Sequence, residues 1–77
     1  MNKKVYYYAV YSYTIDGVTM KENTTLSSDE GFPLAALVLH VAKEVGISPT
    51  AITVDWFTPI PKKVFNDFRK LITMYNQ

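Results

Sequence analysis

No cysteine occurs in the chain, so no disulfide braces it and no thiolate can serve as nucleophile or metal ligand. Histidine is nearly as scarce: His40 stands alone and cannot build a zinc site unless carboxylates complete the ligand set. An excess of charge of one sign is also missing. Eight basic and seven acidic residues leave a net charge of +1, which excludes a global pull on nucleic acid or anionic membrane and confines any such binding to a local patch. The three glycines, Gly17, Gly31 and Gly46, are too far apart for a phosphate-cradling loop, and each suits a turn or a helix cap. No apolar run approaches membrane-spanning length. Met1-Asn2-Lys3-Lys4 leads into strand-forming residues without the apolar segment of a secretory leader, so the expected compartment is the cytoplasm.

What is present is apolar and aromatic. Hydrophobic residues make up 48% of the 77 positions and aromatics 14%, ample for a folded core and contrary to disorder. That length predicts one domain over 1–77, whose single core contributes only a few kcal/mol of net stability.

The chain is organised around Val5 to Leu26. Two runs of strand formers, Val5 to Ile15 and Val18 to Leu26, flank Asp16-Gly17, a pair that favours the two-residue hairpin turn requiring positive φ at both positions. That turn sets Ile15 opposite Val18, Tyr13 opposite Met20, Tyr11 opposite Glu22, Ala9 opposite Thr24 and Tyr7 opposite Leu26. All of these share one face, which the period of two makes the more apolar and assigns to the core. The other face carries Tyr6, Tyr8, Val10, Ser12 and Thr14 against Ser27, Thr25, Asn23, Lys21 and Thr19, and is expected to meet solvent.

Pro33 suits the first turn of a helix running to about Val45, with Gly46 placed to end it in the left-handed conformation and Ile47 able to fold back onto it. Leu34, Leu37, Val38, Val41 and Val45 form its apolar stripe, and Ala35, Leu39 and Ala42 widen that stripe until two packing partners are needed. Ala51 to Thr58 reads as a third strand, with Ile52, Val54 and Trp56 facing the core and Thr53, Asp55 and Phe57 the other side. Pro59-Ile60-Pro61 should end it. A last helix from about Pro61 to Tyr75 carries Val64, Phe65, Phe68, Leu71, Ile72 and Tyr75 as a narrow stripe.

Strand, strand, helix, strand, helix is an α+β order. It predicts a three-stranded sheet of order 2-1-3, strand three antiparallel to strand one and parallel in direction to strand two, with both helices on one face in two layers.

Candidate chemistry is sparse. His40 and Glu44 have the i, i+4 spacing of a weak metal pair, but a solvated helix face accounts for them. Asp55 beside Trp56 and Phe57 has the setting of a carboxylate with a raised pKa, yet strict alternation points it to water. Lys62, Lys63, Arg69 and Lys70 give the last helix a basic side that Asp67 interrupts. Neither a nucleophile–base pair nor a cofactor loop emerges, so no enzyme and no cofactor is expected. The most suggestive group is Tyr6 and Tyr8 with Phe57 on the same side of the sheet and Lys21 nearby. Aromatics on an open sheet face stack nucleic-acid bases in some single-strand binders, with lysines such as Lys3 and Lys4 taking phosphate. Tyrosines serve equally well in protein interfaces.

The opening Lys-Lys-Val-Tyr-Tyr-Tyr-Ala-Val-Tyr-Ser-Tyr, the hairpin, one helix and then Ile52-Thr53-Val54-Asp55-Trp56-Phe57 resemble the layout of short open reading frames of bacteriophages and mobile elements. The resemblance covers about two thirds of the chain and excludes the last helix. It implies a bacterial or phage accessory protein and assigns no functional residue.

The expected function is that of a small non-catalytic module that binds a protein partner or a second copy of itself. The alternative is a single-strand nucleic-acid binder using Tyr6, Tyr8, Phe57, Lys21 and the terminal lysines.

Overall fold

The computed structural model describes residues 4–75. Strand β1 (Val5–Ile15) turns at Asp16 and Gly17, with φ of 51° and 79°, and returns as β2 (Val18–Ser28). Positive φ at both positions is the type I′ geometry, and its twist matches that of the strands it joins. The pairing runs without a break from Ile15↔Val18 to Val5↔Ser28, so every cross-strand pair expected from the turn is present. Helix α1 (Leu34–Val45) ends at Gly46 with φ 81°, where the Gly46 and Ile47 amides both donate to the Ala42 carbonyl at 2.8 and 3.1 Å. Ile47 then packs against the core, completing the cap.

A 3-10 turn (Pro49–Ala51) leads into β3 (Ile52–Ile60), and α2 (Lys62–Tyr75) follows at once. The sheet order is β2-β1-β3, with β1 antiparallel to both neighbours. Strand β3 continues through Pro59 instead of stopping before it. The reason is the hydrogen-bond phase. The turn's bond from the Val18 amide to the Ile15 carbonyl makes the odd residues of β1 bond to β2 and the even residues to β3. Pro59 opposes Tyr7, an odd residue, so its missing N–H would have pointed out of the sheet in any case.

The helices lie on opposite faces, and the two-layer arrangement with both on one face is not adopted. Ala9, Leu37, Val41, Ala42 and Ile52 form the buried cluster under α1, with Tyr11, Tyr13, Leu26 and Val54 packed against it. On the reverse side the rings of Phe65 and Phe68 in α2 sit on Tyr6 and Tyr8, at centroid distances of 4.7 and 5.3 Å. The second face is therefore not left to solvent. Its tyrosine rings offer apolar area that a polar strand face would lack, and the narrow stripe of α2 covers it.

The core is small. The radius of gyration is 13.4 Å, against about 11.5 Å for an ordinary domain of this length, and the extents of 42 × 31 × 19 Å are those of an elongated molecule.

Candidate interaction surface

The site predicted on the sheet begins with an irregularity in β3. Val10 pairs with Trp56 while Tyr11 pairs with Val54, which leaves Asp55 as an extra, unpaired residue. Two residues then oppose one, the signature of a β-bulge, and every residue beyond it changes face relative to strict alternation. Trp56 consequently joins the α2 side, its ring 5.6 Å from that of Tyr8. Phe57 moves to the α1 side, where it stacks on Phe32 at 3.8 Å and 11° and meets Tyr7 edge-on at 6.1 Å.

Phe57 and the tyrosine pair are therefore not neighbours on one platform. Tyr6 and Tyr8 do share a face, but Phe65 and Phe68 cover them and both are half-buried. Tyr8 lies 20° from parallel with Phe68, so one of its ring faces is already stacked. The residue missed by the sequence reading is Trp56, 51% exposed beside Tyr8. The available signal was Asp55 between large apolar neighbours, a position where one extra residue moves Trp56 and Phe57 to new faces while the carboxylate keeps its own.

The bulge gives Asp55 partners. Its carboxylate accepts from the Ser12 hydroxyl at 3.3 Å and lies 3.6 Å from Lys21 Nζ. Lys21 is thus tethered to the sheet, although its side chain remains 71% exposed. Such an exposed pair contributes little to stability; it orients the lysine. Lys4 is exposed, and Lys3 lies outside the described residues.

On the other face Tyr11 sits directly opposite Glu22. Burial, the Glu22 carboxylate and neighbouring Tyr13, in that order, push the Tyr11 hydroxyl above its ordinary pKa of 10.0. His40 Nε2 lies 4.0 Å from Glu44, both side chains about 70% exposed, which makes them the solvated pair the spacing allows. Among the described residues no cluster of three metal-ligating side chains forms.

Among the described residues, more large apolar side chains are exposed than buried. On α1, Leu34 and Leu39 stand in solvent because α2 packs elsewhere. On α2, Phe65 and Phe68 dock while Leu71 and Ile72, which continue the same stripe, are 61% and 53% exposed. The edges of the sheet differ too. Strand β3 carries Pro59 and is followed by Pro61, whereas β2 offers eleven residues with no proline. No helix among the described residues is long and apolar enough to cross a membrane.

Comparison with known protein families, curated proteins and solved structures finds no match in any of the three.

Proposed function

We propose that this chain is a small non-catalytic interaction module that binds a protein partner or a second copy of itself. The observation that carries this reading is the half-used stripe of α2. Its first two turns are docked through Phe65 and Phe68, and the next turn presents Leu71 and Ile72 to solvent in the same line. Exposed apolar area that extends a packed stripe marks a surface awaiting a partner. Leu34 and Leu39 on α1 and the proline-free β2 edge add to it. A cytoplasmic setting and the accessory-protein character implied by the phage-like layout belong to the same proposal. Base stacking on Tyr6 and Tyr8 is less well supported, since it would require α2 to leave the sheet.

The test is to measure self-association by sedimentation at micromolar concentration, and retention of protein from a nuclease-treated host lysate, for the native chain and for Leu71→Asp with Ile72→Asp. Self-association or a defined retained protein, lost in the variant, supports the reading. A strict monomer that retains no protein overturns it.

A further inference from the structure

Where β2 forms the edge of the sheet, the two helices leave a groove of about 370 Å³ beside Thr24, Thr25, Leu26 and Ser27. On the α1 side it is bounded by Ala36, Leu37 and His40, and on the α2 side by Arg69. The hydrogen-bond phase set by the Asp16-Gly17 turn directs the even residues of β2 toward β1 and the odd residues outward. The amides and carbonyls of Thr25 and Ser27 therefore point into this groove without a strand to receive them.

Charge says what kind of segment belongs there. Arg69 lies over the Phe65 ring, its guanidinium carbon 5.7 Å from the centroid, and no carboxylate among the described residues pairs with it. No acidic side chain lines the groove. Pairing with the β2 of a second copy would bring two Arg69 guanidiniums to one seam, and neither groove lining holds a carboxylate to offset them, an arrangement that like-charge repulsion opposes.

We infer that this groove takes an extended acidic peptide segment of a partner protein as a fourth strand on β2, its backbone on Thr25 and Ser27, a small apolar side chain against Ala36 and Leu37, and a carboxylate on Arg69. The inference rests on the interaction-module reading and specifies one of its surfaces. Backbone pairing supplies affinity in such strand addition, and alternate side chains supply selectivity. Arginine suits the carboxylate because its planar fork donates two parallel hydrogen bonds.

The probe is a displayed library of random heptapeptides selected on the full chain, followed by binding and amide-exchange measurements with the selected sequences. Thr25→Pro breaks no bond of the β1–β2 ladder, because the Thr25 N–H points outward, so its thermal melt should stay close to the native one while it blocks pairing. The expected result is enrichment of Asp or Glu in the selected peptides and slowed exchange at the Thr25 and Ser27 amides. Affinity should fall by at least about tenfold in Arg69→Glu, be lost in Thr25→Pro, and weaken with salt. Peptides that bind without protecting those two amides, or that are indifferent to both substitutions, overturn the groove assignment while leaving an interaction module that works through α2. Selection of basic or neutral sequences overturns the acidic partner. Failure to select any peptide also overturns the inference, and the Leu71 and Ile72 test then judges the broader reading separately.

Discussion

Tyr8 in the central strand and Phe68 in the last helix lie nearly parallel, 20° apart with ring centroids at 5.3 Å, and this pair joins α2 to the sheet. Its neighbour, Tyr6 on Phe65 at 4.7 Å, makes the docking a contact of two ring pairs. The aromatic face that suggests base stacking when read from sequence is thereby occupied from within the chain.

The pairing should be measurable. Phe68→Ala is expected to destabilise the domain by about 1–3 kcal/mol, less than a fully buried phenylalanine because the site is half open. In a double-mutant cycle with Tyr8→Ala, denaturant titration should give a coupling of about 0.5–1.5 kcal/mol. A coupling near zero would mean that α2 does not rest on this ring.

The bulge makes a sharper prediction about chain length. Deleting Asp55 leaves Val54 opposite Tyr11 and Trp56 opposite Val10, so every apolar residue keeps its face and only the contacts to Ser12 and Lys21 are lost. Such a deletion should shift stability by about 1 kcal/mol or less. Deleting Thr53 instead restores regular alternation by turning Val54 away from α1 and Asp55 toward it, which should cost several kcal/mol or abolish folding. Thermal melts of the two deletion variants decide the point, and equal effects would contradict the register.

Gly46 closes α1 at φ 81°, a region that a side chain enters at a cost. Nothing stands near the position a Cβ would take, so the cost of Gly46→Ala is conformational alone. An increase in unfolding free energy, or no change, would contradict the cap; a loss of about 1–2 kcal/mol is expected from chemical denaturation.

Tyr11 should titrate above the ordinary tyrosine value of 10.0. Its hydroxyl holds its proton more tightly when folded than unfolded, so the associated stability is fully present below pH 10.0 and is lost as pH rises through the raised folded value. Ultraviolet titration of tyrosinate, differenced against Tyr11→Phe, should place this transition above the ordinary value. Glu22→Gln should move it down, because one of the opposing charges is gone. An unmoved transition would mean that the Glu22 carboxylate does not contribute to it.

Local and nearest-neighbour chemistry made much of this domain legible from its residues. Asp16-Gly17 determined the turn, the turn determined the register of eleven pairs, and Gly46 determined where α1 stops. Each depends on backbone conformations that a few residue types favour strongly, so the chain carries them with it. The sheet order 2-1-3 followed from the short hairpin and the crossover. The faces of Trp56 and Phe57 did not, because a bulge at Asp55 costs little locally and is chosen by what lies above and below the sheet: Phe32 receives Phe57, and Tyr8 receives Trp56. The position of α2 was open for the same reason. Its stripe fits either face, and packing energy summed over Tyr6, Tyr8, Phe65 and Phe68 selected the one that alternation alone had assigned to water. The groove beside β2 exists only because of that choice, since helices on one face would not have placed Arg69 across the sheet edge from Leu37.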